Sequence, residues 1–135
     1  MATYNTKKNK QNYIVLAGRP GSGKTEMLIT YANQYPDRTL FFSLEISRDD
    51  LRNRGLNRSV KVIENITEFD IKEINNFDTI CIDYIQLLSK EYIYDLMKKL
   101  MQMDIRIILA SQMRRNIEIH ENPFEDVFND ICDVA

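Results

Sequence analysis

Apolar positions along the chain fall into short continuous runs separated by stretches with helical spacing. Tyr13-Ile14-Val15-Leu16-Ala17 is the first run, of strand length and apolar throughout, as a strand buried on both faces requires. A glycine-rich loop follows, then a helix predicted from Lys24 to Tyr35 and ended by Pro36. Thr39–Ser43, Val60–Ile63, Thr79–Asp83 and Ile105–Ala110 read as four more strands. Between them, Ser47 and Asp50 have capping-box spacing for a short helix that Gly55 stops. Thr67 and Asp70 repeat that spacing for a helix ending near Asn76. Lys90 to Met103 carries an apolar stripe of Ile93, Leu96/Met97 and Leu100 at helical period. Strands alternating with helices in this way predict an α/β fold, with a mostly parallel central sheet flanked by helices on both faces.

The two ends break the pattern. Residues 1–12 are polar, with Lys7, Lys8 and Lys10 and no apolar run, and predict a flexible basic tail ahead of a domain over 13–135. Residues 116–135 hold six acidic side chains and no Lys or Arg, with weak helix signals.

Composition narrows the class. A chain of 135 residues has room for one domain, and at this size it buries enough surface for a core without disulfides or metals. The net charge of −2 gives no overall electrostatic pull toward nucleic acid, which leaves only local patches to supply one. No apolar run approaches the ~20 residues that span a bilayer, so no membrane partner is expected. Cys81 and Cys132 are far apart and form no metal-ligand spacing, which suits a reducing cytoplasm. His120 stands alone in a polar stretch and takes no role.

Candidate chemistry begins at Gly18-Arg19-Pro20-Gly21-Ser22-Gly23-Lys24-Thr25, which matches G-x-x-x-x-G-K-[ST] in full. Glycines let the backbone curl so that several N–H groups point at one oxyanion. The helix after the loop adds its positive end. Lys24 can neutralise β/γ-phosphate charge, and Thr25 can place a hydroxyl on Mg²⁺. The loop lies between a predicted strand and a predicted helix, which is the context that gives the pattern meaning. Asp83 ends the strand Thr79–Asp83 and is the candidate carboxylate for the Mg²⁺ shell. Glu45 follows the strand ending at Ser43, at the carboxyl edge where ligands bind in open α/β sheets, and is the candidate group to position water. Gln112 follows the last strand at the same edge and can hydrogen-bond a γ-phosphate.

These strings together resemble a known family. Leu16–Thr25 is similar to the phosphate loop of DnaB-type replicative helicases, including its Arg-Pro pair. Phe41-Phe42-Ser43-Leu44-Glu45-Ile46-Ser47 resembles the segment with that family's catalytic glutamate, and Asp83-Tyr84-Ile85-Gln86-Leu87-Leu88 its Mg²⁺-side aspartate motif. Leu109-Ala110-Ser111-Gln112-Met113-Arg114-Arg115 resembles its sensor strand, with Gln112 at the sensor position and Arg115 at the basic position after it. Asp130–Val134 is similar to the acidic run before the family's next strand. The resemblance implies a RecA-like fold, ATP and Mg²⁺ as ligands, catalytic roles for Glu45, Lys24 and Gln112, and single-stranded DNA as a partner. It also implies that a second copy or a replicative helicase supplies an arginine finger. The stretch between Glu45 and Asp83 is much shorter than in those helicases, and the elements that reach a neighbouring subunit or DNA have no counterpart in the sequence. An ATPase with doubtful autonomous unwinding is therefore the first reading. A loader or inhibitor that docks on a full-length helicase, with nucleotide as structural ligand or switch, is the alternative. A small-molecule kinase fits less well, because no arginine-rich lid follows Asp83.

Arg48, Arg52, Arg54 and Arg58 place four positive charges near one short helix. A solvated face paired with Asp49 and Asp50 is the simpler reading, and a DNA or subunit contact the other.

Overall fold

The computed structural model describes residues 2–8, 11–18, 21–83, 89–100 and 103–112. Among these residues six strands, β1 (Ala2–Lys8), β2 (Gln11–Gly18), β3 (Thr39–Ser43), β4 (Lys61–Ile63), β5 (Thr79–Asp83) and β6 (Arg106–Gln112), form one sheet. Among the described residues three α-helices, α1 (Lys24–Gln34), α2 (Arg48–Asn53) and α3 (Lys90–Leu100), connect them with short 3₁₀ turns. The strand order is β1-β2-β6-β5-β3-β4. All neighbours from β2 to β4 pair in parallel, and β1 alone is antiparallel.

Side-chain alternation along the central strands divides the core in two. Leu40 and Phe42 of β3, Ile80 and Ile82 of β5, and Ile107 and Leu109 of β6 face Leu96 and Leu100 of α3. Phe41, Cys81, Ile108 and Ala110 point the other way, onto Leu28, Ile29 and Ala32 of α1 and Leu51 of α2. The sheet is thus covered on both faces, as its continuous apolar runs predict. Among the described residues no helix is long and apolar enough to cross a membrane.

Two segments depart from expectation. Polarity predicts a flexible tail over residues 1–12, but Ala2–Lys8 is a strand whose partners run from Ala2↔Ala17 to Lys8↔Gln11. Thr3, Tyr4 and Thr6 suit a pleated surface, and the strand covers the edge that β2 would otherwise leave open. The helix predicted from Thr67 to Asn76 is instead two 3₁₀ turns, Ile66–Glu68 and Ile71–Asn76. Asn65 and Asp70 accept the backbone N–H groups of Thr67 and Lys72, closing each turn locally in competition with a longer helix. Between the turns Phe69 leaves helical geometry and packs its ring edge-on to Phe42, with centroids 5.3 Å apart. Helix α3 is described over Lys90–Leu100, and residues 101 and 102 of its predicted span lie outside the described residues. Its stripe residues Leu96 and Leu100 are buried, while the side chains of Ile93 and Met97 lie outside the described residues, as does everything from residue 113 onward.

Candidate functional site

The parallel strands bring the candidate residues to one edge of the sheet. Ser43 and Asp83 are register partners at the carboxyl ends of β3 and β5, and Gly18 and Gln112 at those of β2 and β6. Strand β6 lies between the strand that leads into the glycine-rich loop and the strand that ends in Asp83.

The loop is built for a left-handed backbone. Gly21 and Gly23 have φ of 78° and 91°, values that a β-carbon disfavours. Gly23 is also the N-cap of α1, and no side chain caps that helix. Its first N–H groups and the positive end of its dipole therefore face the loop. Ser22 Oγ is buried and has no hydrogen-bond partner among the described residues. Arg19 and Pro20 lie outside the described residues.

Charge is concentrated beside it. Lys24, the first residue of α1, is 6% exposed, and Asp83 is 2% exposed. Thr25 Oγ1 donates to Asp83 Oδ2 at 3.1 Å. Burial pushes the Lys24 ammonium below its ordinary pKa, against the opposing attraction of Asp83 and Glu45. Burial pushes the Asp83 carboxyl above the usual carboxylate range; the Thr25 hydroxyl opposes this, Glu45 adds to it, and Lys24 and Arg54 oppose it more weakly. Lys24, Thr25, Glu45 and Asp83 are thus one electrostatic unit.

Glu45 is exposed on the bend after β3. That bend is folded by Ser43, whose buried hydroxyl donates to the carbonyl of Ile46, and by Ser47, whose Oγ accepts the Asp50 N–H at 3.2 Å and starts α2. Gln112 is placed by its register opposite Gly18, and its side chain lies outside the described residues.

Sequence reasoning passed over two contributors. Ser43 positions the Glu45 bend, and only its place at a strand end hinted at this. Arg54 acts on Asp83 from the end of α2, held by Glu26 at 3.4 Å and Asp50 at 3.3 Å. The spacing of Asp50 and Arg54 at i,i+4 was the available signal.

Among the described residues, no three His, Cys, Asp or Glu side chains gather as a metal cage. A Thr–Asp pair offers Mg²⁺ few protein oxygens and leaves phosphate and water to complete its octahedron, as magnesium sites commonly do. The buried Ser22 hydroxyl, the uncapped helix end and the Thr25–Asp83 pair fit a Mg²⁺-bound nucleotide phosphate.

The model of the DnaB-like helicase C terminal domain matches residues 5–68, a stretch just short of half the chain that includes the glycine-rich loop and Glu45. The chain resembles a shortened DnaB-type domain. Among solved structures 84 chains match. One is a KaiC-like protein from the hyperthermophilic archaeon Pyrococcus horikoshii OT3, 20% identical, with a TM-score of 0.62 over 89% of this chain and 68% of that one. No curated protein sequence matches. The fold is RecA-like.

Proposed function

We propose that the chain binds and hydrolyses ATP in DNA replication or recombination, as a minimal RecA-like ATPase over residues 13–135 completed by strand β1. The observation that carries this reading is the Thr25–Asp83 hydrogen bond beside a buried Lys24. A hydroxyl and a carboxylate 58 positions apart meet where the loop opens. Backbone N–H groups of Gly18–Thr25 bind the phosphates, and Lys24 offsets the charge at the β/γ bridge. Thr25 and Asp83 hold Mg²⁺, which supplies further neutralisation of phosphate charge when bound. Glu45 orients and polarises the attacking water, and Gln112 contacts the γ-phosphate from the end of β6. An arginine from a second copy or from a replicative helicase completes the site, so turnover by the isolated chain is slow; such a residue is worth ~10³–10⁵ in rate.

A second reading has a specific observation behind it. The helicase-domain match stops at residue 68, ahead of Asp83 and Gln112. This favours a regulator that docks on a full-length helicase, with ATP as a switch.

ATP hydrolysis by wild type and Glu45→Gln, with and without single-stranded DNA, separates the readings when ATP binding is measured alongside. The first expects a rate loss of ~10²–10⁴ at unchanged affinity. Equal rates in the two proteins remove Glu45 from catalysis. Binding without hydrolysis in every condition selects the switch.

A further inference from the structure

Arg54 stands apart from Arg48 and Arg52 of α2. Those two are committed to backbone carbonyls, Arg48 to Val62 O at 3.1 Å and Arg52 to Val60 O at 2.8 Å and to Asn57 O. Arg54, the C-cap of α2, instead splits its two amino groups between two carboxylates. Its Nη1 is 3.4 Å from Oε1 of Glu26, in the first turn of α1, and its Nη2 is 3.3 Å from Oδ2 of Asp50. Both distances exceed the ~2.7–2.9 Å of a strong charge-assisted hydrogen bond. Arg38 shows the settled arrangement, with both prongs of its fork on one carboxylate, Asp78, at 2.9 and 3.0 Å. The Arg54, Glu26 and Asp50 side chains are 40%, 62% and 49% exposed, so exchanging these pairs for another anion costs little.

We propose, on the reading of the loop as an ATP site, that Arg54 leaves Glu26 when ATP binds and donates to the terminal phosphate, so that the chain tells ATP from ADP with an arginine of its own. Its place fits that contact. Glu26 follows Thr25 directly, and Lys24 and Arg54 are the two cations whose charge acts on Asp83. A metal held by Thr25 and Asp83 bridges β- and γ-oxygens, which puts the terminal phosphate on the Asp83 side. A guanidinium there bonds two phosphate oxygens at once, more strongly than it bonds Glu26 or Asp50. Helix α2 begins from Ser47, just past the Glu45 bend, and ends at Arg54, with Leu51 fully buried between them. A phosphate contact at one end of this short helix therefore fixes the segment that carries Glu45 at the other. Loss of the γ-phosphate returns Arg54 to Glu26 and releases that segment.

The full chain is titrated with a non-hydrolysable ATP analogue and with ADP, each with Mg²⁺, and circular dichroism confirms the fold of each variant. Arg54→Gln should weaken the analogue about tenfold or more and ADP less than about twofold, the difference being one charge-assisted bond to the terminal phosphate. Arg54→Lys keeps the charge without the fork and should recover only part of the loss. Glu26→Gln cuts the same ion pair from the other side. It should leave the analogue's affinity unchanged or raise it, because Arg54 is freed for the phosphate. Equal losses for the analogue and ADP in Arg54→Gln, or no loss for either, overturn the proposal. A loss in Glu26→Gln that matches Arg54→Gln also overturns it, since Arg54 would then only brace α1 against α2. Absence of binding of either nucleotide by wild type removes the ATP site itself, and the proposal with it.

Discussion

Thr25 Oγ1 donates to Asp83 Oδ2 at 3.1 Å, joining the first turn of α1 to the last residue of β5. The bond lies where two burial costs meet, since Lys24 and Asp83 are both nearly inaccessible. A site arranged for a charged ligand holds charge that the fold alone would avoid.

Asp83→Asn tests that cost. Asparagine can still accept the Thr25 hydroxyl through Oδ1 and carries no charge. Because burial raises the Asp83 pKa, the folded state holds this proton more tightly than the unfolded chain. The associated stability is fully present below the ordinary value of 3.8 and is lost as pH rises through the folded pKa. Urea titrations without Mg²⁺ or nucleotide should show no advantage for the variant near pH 3, and one that grows above 3.8. A constant difference across pH would contradict the electrostatic account. The same variant should lose the Mg²⁺ dependence of ATP binding.

Lys24→Ala should weaken ATP binding about 10- to 100-fold, the range for losing a hydrogen bond to a charged group. Calorimetric titration reads this directly, and ADP should lose less than ATP if the ammonium sits at the β/γ bridge.

Gly23→Ala separates backbone geometry from space. A β-carbon at Gly23 would meet nothing within 4 Å, so the cost comes from its φ of 91° alone. The expected loss is about 1–2 kcal/mol of stability, by denaturant unfolding. Nucleotide affinity should fall as well, because the loop must otherwise leave its left-handed path.

Arg106→Ala addresses the opposite end of α1. The last turn of that helix has no basic residue, and Arg106 reaches in from β6. It donates to Gln34 Oε1 at 2.7 Å and to Tyr31 O at 3.3 Å, with its guanidinium 5.7 and 5.5 Å from the Tyr31 and Tyr35 rings. Removing it should cost about 2 kcal/mol. Arg106→Lys should recover only part, since an ammonium keeps the charge without the planar fork.

Hydrogen exchange should find amides of β1 protected. A tail would exchange at the free-peptide rate; a strand paired from Ala2↔Ala17 to Lys8↔Gln11 should slow its bonded amides by at least an order of magnitude.

Much of the sheet and the site was legible because each rests on a strong local signal. Thr39–Ser43 and Thr79–Asp83 are strands with the bounds their apolar runs predict, since burial on both faces leaves little freedom in register. Ser47 caps α2, and Gly55 takes a φ of 106° just beyond its end, as side-chain chemistry requires. The failures are tertiary. Nothing local distinguishes a polar tail from a polar edge strand, because β1 is specified by its partner. Thr67 and Asp70 have helical capping spacing, but the pull of Phe69 into the core divides the segment. The places of Asp83 and Glu45 at the carboxyl edge follow from their strand ends; the action of Arg54 on Asp83 is a tertiary effect between α2 and β5 that no local pattern carries.

The antiparallel pairing of β1 sets a rule for how this sheet can grow. The outer rim of β2 already has its hydrogen-bonding groups engaged within the chain, so no later or foreign strand can add there without first peeling β1 away. Any fusion or partner that extends the sheet of the described residues must therefore join at the outer edge of β1 or of β4, or exchange with β1 and produce an intertwined pair of molecules.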